Sequence, residues 1–133
     1  MFLVWHPWKY AEMLGKLIEE HGSDVWLLNT GWSGGAYGVG SRFKIAHTRA
    51  MVRAALSGVL HEAPTKEDPV FGLHVPTAIA DVPTSVLTPR ETWKDTAAYD
   101  QQAAKLASMF RENFKRFEQF VSAEVKSAGP KGA

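Results

Sequence analysis

The residues best suited to bind a ligand lie in the glycine-rich stretch 29–49, which reads NTGWSGGAYGVGSRFKIAHTR. Its glycines are Gly31, Gly34, Gly35, Gly38 and Gly40. Glycine is needed where φ is positive or where a ligand approaches the main chain closely. The apolar run 25–28 before the glycines and the basic-apolar run 42–45 after them each predict a strand. The stretch is therefore the best candidate in the chain for a binding loop.

A phosphate-binding P-loop is one chemistry that such a loop could support. The pattern G-x4-G-K-[ST] places a lysine directly after its last glycine and opens a helix. Gly35 and Gly40 have the required spacing, but Ser41 and Arg42 follow, and the next residues are typical of a strand. The pattern therefore favours a glycine-rich hairpin connection over an autonomous P-loop.

Two side chains after the glycines invite chemical interpretation. Arg42 is either an edge-strand charge that discourages pairing with other sheets or a guanidinium suited to stacking on a base or pairing with phosphate. Thr48 or His47 is suited to capping the helix that follows, by accepting a backbone N–H bond in its first turn.

The elements that position this stretch are predicted from apolar periodicity. Pro7 opens a helix, and Gly22 ends it as a C′ residue. The helix has a single apolar stripe, formed by Tyr10, Met13, Leu14, Leu17 and Ile18. A second helix, with Met51 and Leu56 on its apolar face, ends at Gly58.

The second half of the chain is predicted to add a strand and a long helix. A polar connection at 62–69 leads to a strand at 70–75, and an irregular loop runs over the surface at 77–90. Asp95 or Thr96 caps the long helix, and Gly129 and Pro130 end the ordered chain. Apolar residues in this helix recur at steps of three and four, which predicts a core stripe: Tyr99, Ala103, Leu106, Phe110, Phe114, Phe117 and Val121. The predicted fold class is α/β (mixed), in the order helix-strand-loop-strand-helix-strand-helix, as one unit over residues 1–133.

Composition excludes several classes of function. Of the 133 residues 45% are hydrophobic and 22% charged, and the net charge of +1 gives no electrostatic case for binding nucleic acid or a membrane. The chain has no cysteine, hence no disulfide or thiolate metal site, and no apolar run approaches the ~18 residues of a membrane span. His6 and His21 lack metal-ligand partners at short spacing, and Asp24, Asp68 and Asp81 have turn-like surroundings. We find no catalytic constellation.

The first eight residues, MFLVWHPW, are an apolar leader that includes Trp5 and Trp8, and residues 1–5 are predicted to form a short strand. An exposed apolar segment of this kind usually marks a partner surface or an aggregation risk. Self-association through residues 1–8 is therefore a possible interaction.

Several blocks of sequence resemble, in order and spacing, the C-terminal portion of ATP-dependent phosphoenolpyruvate carboxykinase. The blocks are His6-Pro7, YAEMLG (10–15), VWLLNTGWSGGAYGVGSR (25–42), HTRAMVRAALSG (47–58), DPVFGLHVPT (68–77), LTPRETW (87–93) and AGP (128–130). The resemblance covers nearly the whole chain, and the NTGW block with the later Thr48-Arg49 pair is its sharpest part. It implies a partial nucleotide-binding domain with a long C-terminal helix.

The resemblance also implies a function for the chain. The family converts oxaloacetate and ATP to phosphoenolpyruvate, ADP and CO2 in gluconeogenesis, in the cytoplasm, with Mg²⁺ or Mn²⁺. Arg42, Phe43 and Thr48 match positions that contact the adenosine end of ATP. The family's P-loop, metal ligands and oxaloacetate-binding residues lie upstream and have no match here, so the missing part is an expected partner. The isolated chain is predicted to be inactive.

Two alternatives remain open at this stage. The chain could be a stand-alone, non-catalytic interaction or oligomerisation module that acts through its apolar leader. It could also be a small autonomous nucleotide binder, an interpretation that depends on the glycine-rich loop alone.

Overall fold

The computed structural model describes residues 4–35 and 38–131. Its helices are α1 (Pro7–His21), α2 (Ile45–Leu56), α3 (Thr84–Leu87), α4 (Pro89–Thr92), α5 (Thr96–Phe114) and α6 (Ala123–Ser127), with a 3-10 turn at Glu118–Phe120. Two antiparallel hairpins accompany them, β1 (Trp32–Ser33) with β2 (Ser41–Arg42), and β3 (Thr65–Glu67) with β4 (His74–Pro76). The predicted mixture of helices and strands is confirmed. The strands in the described residues are nevertheless only two or three residues long.

Helix α1 begins and ends where the sequence predicts. The His6 ring accepts a bond from the Trp8 backbone N–H at 3.4 Å, Pro7 occupies the first helical position, and Gly22 closes the helix at φ 59°. The N–H of Gly22 donates to the carbonyl of Ile18, as in a left-handed C-cap. The predicted apolar stripe, however, is not covered: no residue of α1 is buried.

The leader approaches the 3-10 turn from the other end of the chain. Trp8 stacks on Phe120 with ring centroids 6.2 Å apart, and His6 lies 5.9 Å from Phe117. Trp5 remains 68% exposed. The prediction of a strand at residues 1–5 falls partly outside the described residues, and Val4 and Trp5 form a bend rather than a strand.

The predicted strand at 25–28 is wrong for this structure. Residues 23–30 run without helix, strand, turn or bend. A strand requires a neighbour for its backbone groups, and none of the described residues supplies one. Asp24 does not make the predicted turn; its carboxylate lies 3.3 Å from Nδ1 of His61 instead.

The hydrophobic core lies between α2 and the segment that follows β4. Ala50, Met51 and Val82 form its buried centre. Partly buried hydrophobic residues surround this centre: Phe43, Ile79, Val86 and Leu87. The prediction that residues 77–90 run only over the surface is therefore wrong, since this segment supplies one wall of the core and contains α3.

The hairpin of β3 and β4 corrects the strand predicted at 70–75. The Asp68 carboxylate accepts the backbone N–H groups of Val70 and Phe71 at 2.9 and 2.7 Å, which folds these residues into a turn and confirms the turn role of Asp68. Gly72 completes the turn with φ 69°. The strand therefore starts only at His74.

Helix α5 confirms the predicted start but not the predicted length. Asp95 is its N-cap, and the Asp95 carboxylate accepts the N–H groups of Ala97 and Ala98 at 2.9 and 3.0 Å. The helix ends at Phe114, although the apolar repeat continues to Val121. Ala103 in the predicted stripe is buried, but Phe110 is half exposed. Ala107, which is fully buried, is not in the predicted stripe, so periodicity identified the inward face only in part.

Lys131, the last described residue, is tied down, whereas the predicted fraying of residues 132–133 lies outside the described residues. The N–H of Lys131 donates to the carbonyl of Val70 at 2.8 Å, and the Lys131 ammonium pairs with Glu67. The Arg111 guanidinium donates to the carbonyl of Pro130 at 3.4 Å. These bonds connect residues 130–131 to the β3–β4 hairpin and to α5.

A bidentate ion pair between α4 and α5 predicts a pH dependence of stability. Arg90 Nε and Nη2 lie 2.7 and 2.8 Å from the two carboxylate oxygens of Asp100. The hydrogen bond from Arg90 holds the pKa of Asp100 below its ordinary value of 3.8. A carboxylate whose pKa is lower in the folded chain than in the unfolded chain stabilises the fold at pH values above its unfolded pKa. This contribution is therefore present at neutral pH and is lost as the pH falls below about 3.8. Both side chains are about half exposed, so the effect is small.

The measurement is the difference in melting temperature between the wild type and Asp100→Asn from pH 7 to pH 3. We expect Asp100→Asn to have a lower melting temperature than the wild type at pH 7. This difference in melting temperature should shrink as the pH approaches 3. Glu19→Gln, at an exposed position of α1, is the control. Its melting temperature relative to the wild type should not change with pH in this way. A constant difference for Asp100→Asn across the range would contradict the prediction.

Candidate functional site

The glycine-rich stretch is a tight antiparallel hairpin. Trp32 pairs with Arg42 and Ser33 with Ser41, and residues 34–40 connect the two strands. A Cβ on Gly40 would lie 2.5 Å from the carbonyl oxygen of Gly35 and 2.6 Å from that of Ser33. Strand β2, not a helix, directly follows Gly40, which agrees with the hairpin interpretation of the glycines.

Arg42 is the last residue of β2, and its side chain is exposed. It makes no ion pair with any residue in the described parts of the chain. The strand predicted at 42–45 stops at Arg42, since Ile45 already belongs to α2. The guanidinium is therefore presented at the junction between a hairpin and a helix.

Phe43 anchors this junction. Its backbone N–H donates to the carbonyl of Gly31 at 3.0 Å, and its ring packs against the core of α2. The ring also lies edge-on to His47, with centroids 6.0 Å apart. These contacts fix the backbone directly after Arg42.

Thr48 lies within α2 and does not cap it, so the predicted capping role of Thr48 or His47 is wrong. The helix begins at Ile45, and Lys44 is the N-cap residue without a side-chain hydrogen bond. The Thr48 hydroxyl donates to the Lys44 carbonyl at 3.4 Å, one turn back. The hydroxyl is half-buried and retains its lone pairs as acceptors.

The charge distribution around this junction is one-sided. Residues 25–61 contain no Asp or Glu, whereas they include the cations Arg42, Lys44, Arg49 and Arg53. None of these cations forms an ion pair with the described residues. The near-neutral charge of the whole chain conceals this local excess, which a count by segment would have revealed. Local positive charge attracts anionic ligands.

Two open clefts are lined by residues other than those of this junction. The larger, of about 390 Å³, lies between Gly34, Gly35 and the start of α5, and is also lined by Trp93, Lys94 and Gln102. The smaller, of about 230 Å³, lies between α2 and residues 80–81. The structure brings neither cleft to Arg42, Phe43 or Thr48.

The larger cleft contains residues that the sequence gave no reason to select. Trp93 lies edge-on to Tyr99, with ring centroids 5.6 Å apart, and burial raises the pKa of the Tyr99 hydroxyl. Asp95 lines the cleft, but its carboxylate is already occupied as the cap of α5. No sequence motif connects Trp93 to the glycines, because the two segments meet only in the folded chain.

A metal centre does not form in the described parts of the chain. Among residues 4–35 and 38–131, no three His, Asp or Glu side chains cluster so that they could hold a metal ion. Within the same residues, no helix has the length and apolar character needed to cross a membrane.

Comparison with known proteins gives a consistent match. A family model described as phosphoenolpyruvate carboxykinase matches residues 1–85. Curated proteins named phosphoenolpyruvate carboxykinase (ATP) are 57% identical over 121 residues in Lysinibacillus sphaericus and 59% identical over 121 residues in Rubrobacter xylanophilus. Each alignment covers 91% of this chain and 23% of the relative. The relative of the same name from Thermus thermophilus is 54% identical over 130 residues, which are 98% of this chain and 25% of the relative. The chain thus spans about a quarter of the length of the curated relatives it matches.

Proposed function

Since the chain belongs to the phosphoenolpyruvate carboxykinase family, we propose that it forms the adenosine-binding wall of an ATP-dependent phosphoenolpyruvate carboxykinase. The whole enzyme would convert oxaloacetate and ATP to phosphoenolpyruvate, ADP and CO2. This chain would hold the nucleoside end of ATP, while the remaining three quarters of the enzyme would carry out the phosphoryl transfer.

The observation that carries this proposal is the exposed Arg42 at the end of β2, which makes no ion pair with the described residues and lies within a segment that contains no acid. A planar guanidinium stacks on aromatic faces and pairs with phosphate oxygens, so it suits a nucleotide better than a lysine would. The core contacts of Phe43 hold the backbone beside Arg42, which limits the entropy lost when Arg42 orders on a ligand.

The Thr48 hydroxyl is proposed to accept a hydrogen bond from the nucleoside. Its proton is directed to the Lys44 carbonyl, so its oxygen is left to accept from a ribose hydroxyl or from an adenine amino group. Arg42, Phe43 and Thr48 span the junction from β2 to α2 and lie within seven residues of one another in sequence.

The divalent cation that the family implies does not fit the residues described here. Phosphoryl transfer requires metal ions and basic groups around the transferred phosphoryl group, and no acidic cluster of the described residues could hold such an ion. We therefore assign the Mg²⁺ or Mn²⁺ ligands to the remainder of the enzyme and derive no metal-dependent step for this chain.

The experiment that tests the proposal is a titration of the isotope-labelled chain with Mg-ADP, followed through backbone amide shifts. Saturable shifts are expected at residues 38–49. Arg42→Ala should weaken binding roughly 10- to 150-fold, because a hydrogen bond to a charged group contributes roughly 1.5–3 kcal/mol. Thr48→Val should weaken it less, because it removes one neutral acceptor.

Arg53→Ala is the matched control, since Arg53 is a second unpaired arginine of the same acid-free segment but lines the smaller cleft. The same titration is repeated after the chain has been combined with the remainder of a relative. If Arg42→Ala bound nucleotide as tightly as Arg53→Ala in both settings, the adenosine-wall role would be wrong.

The second candidate function is self-association through the apolar leader. Val4 and Trp5 are 89% and 68% exposed, which favours a contact surface there. The apparent molecular mass in solution should then rise with chain concentration, and Trp5→Ser should reduce that rise. Trp8→Ser is the less informative change, because it also removes the stacking of Trp8 on Phe120. A chain that remains monomeric at all concentrations would contradict this function.

A further inference from the structure

The β1–β2 hairpin touches the corner between α4 and α5, which comprises residues 92–95. A Cβ on Gly34 would lie 3.0 Å from the carbonyl oxygen of Thr92 and 3.8 Å from its carbonyl carbon. Gly34 also has φ 80°, a backbone conformation that residues with a side chain rarely adopt. Glycine therefore permits a close approach of two backbone segments that lie far apart in sequence.

The corner is held in place by bonds on both sides of this contact. The Thr92 hydroxyl donates to the carbonyl of Pro89 at 2.6 Å and closes the last turn of α4. Arg90 of the same helix forms the bidentate ion pair with Asp100 of α5. Asp95 caps the start of α5. The Thr92 carbonyl therefore belongs to a backbone that is fixed before and after it.

The hairpin backbone connects this contact to Arg42. Gly34 directly follows Ser33, which pairs with Ser41, the residue before Arg42. The Ser33 carbonyl also lies so close to Gly40 that a Cβ there would meet it at 2.6 Å. Two strands in such close contact move together, so a displacement of Gly34 displaces Arg42 as well.

The hairpin needs this contact because its other anchor lies at one end only. The bond from the Phe43 N–H to the Gly31 carbonyl and the packing of the Phe43 ring on the core hold the open end of the hairpin. A hairpin fixed at one end can still swing about that end, and the cleft of about 390 Å³ beside α5 provides the space. Two-stranded hairpins are marginally stable by themselves. The contact at Gly34 supplies a second point of support.

We propose that Thr92 is a positioning residue, whose carbonyl supports the hairpin at Gly34 and so holds the Arg42 guanidinium in place for the nucleoside end of ATP. The effect on nucleotide binding depends on the proposed function, whereas the support of the hairpin does not. Thr92 acts without touching the nucleotide. A guanidinium whose backbone is already fixed loses less entropy when it binds, so the support raises affinity without adding a contact.

The first test uses the full isotope-labelled chain without nucleotide. Residual dipolar couplings give the orientation of the N–H vectors at residues 39–42 relative to α5. Thr92→Val removes the bond to Pro89 but keeps the shape of the side chain, so the corner loosens, and the hairpin vectors should depart from their wild-type orientation. Thr96→Val, the same change at the exposed first position of α5, is the matched control and should retain it. A wild-type orientation in Thr92→Val would overturn the proposal.

The second test approaches the contact from the hairpin. Gly34→Ala and Gly38→Ala carry similar backbone strain, because the two glycines have φ 80° and 88°. A Cβ on Gly38 meets none of the described residues within 4 Å, apart from its chain neighbours. Gly34→Ala should therefore shift the backbone amides of Trp93 and Lys94, and Gly38→Ala should leave them unchanged. Equal shifts at Trp93 and Lys94 in the two variants would overturn the proposed contact.

The third test measures Mg-ADP affinity in the setting in which the wild type binds, the free chain or the chain combined with the remainder of a relative. Thr92→Val should weaken binding roughly 2- to 12-fold, the equivalent of immobilising one further side chain. The double variant with Arg42→Ala should bind no more weakly than Arg42→Ala alone, because Thr92 acts through Arg42, whereas independent sites are additive.

A double variant weakened by the product of the two single effects would overturn the positioning role. A wild type that binds no Mg-ADP in either setting would instead contradict the adenosine wall. The dipolar couplings would then decide by themselves whether Thr92 supports the hairpin, because that measurement requires no nucleotide.

Discussion

The 133-residue chain on its own is expected to give no conversion of oxaloacetate and ATP to phosphoenolpyruvate. Its glycine-rich loop is a hairpin between β1 and β2 and lacks the lysine that a P-loop presents to the phosphates. The described residues also contain no cluster that could hold the divalent ion. Positioning and charge stabilisation supply nearly all of the catalysis of phosphoryl transfer, so a chain without these groups should stay at the uncatalysed background.

The measurement is phosphoenolpyruvate formation by the purified chain, by the part of the Thermus thermophilus relative that does not align with this chain, and by the two together. Only the mixture is expected to rise above background, because enzymes accelerate their reactions by about 10⁶-fold or more. Catalytic activity that copurifies with the isolated chain through successive chromatographic steps would show that the prediction is wrong.

Replacing Gly40 by alanine is expected to disrupt the β1–β2 hairpin and with it the position of Arg42. The added Cβ would lie within 2.6 Å of two backbone carbonyl oxygens and 2.9 Å from the Gly35 nitrogen. These are backbone atoms that cannot rotate away, so the hairpin must open. Overpacking of this kind typically costs about 1–3 kcal/mol and occasionally more. This is a large loss for a chain whose buried core contains only a few small and medium-sized side chains.

Gly31→Ala is the matched control in the same stretch, since a Cβ there meets only the Asn29 side chain, at an ordinary 3.5 Å. Gly15→Ala, in the middle of α1 with open space around it, should instead stabilise the helix by up to about 1 kcal/mol. Thermal unfolding should therefore give the lowest melting temperature for Gly40→Ala and the highest for Gly15→Ala, with Gly31→Ala between them. An unchanged melting temperature for Gly40→Ala, together with wild-type amide shifts for Ser41 and Arg42, would refute the crowding argument.

Sequence reasoning was most successful where a local signal sets the structure. Pro7 and Gly22 bound α1, Asp95 begins α5, and the missing lysine after Gly40 favoured a hairpin. Each of these outcomes depends on the φ preference or the hydrogen-bonding groups of a few neighbouring residues. The family resemblance likewise depended on local blocks, and the comparisons confirm it.

Sequence reasoning failed where burial by distant groups decides the outcome. The run 25–28 has the composition of a buried strand, yet its pairing partners are absent from the described residues. The apolar repeat after Asp95 continues to Val121, but the helix stops at Phe114, where a 3-10 turn brings Phe120 to Trp8. A repeat shows which face prefers burial, and only contacts with other elements determine where a helix stops.

The sequence by itself determined the family, the starts of α1 and α5, the hairpin glycines and the choice of Arg42, Phe43 and Thr48 as site candidates. Tertiary structure alone decided that α2 starts at Ile45, with Thr48 bonded back to Lys44, and that Phe43 faces the core while Arg42 faces outward. It also decided that residues 4–34 have no core of their own. Local preferences are encoded in short segments of sequence, whereas burial depends on which segments meet, and these segments lie far apart along the chain.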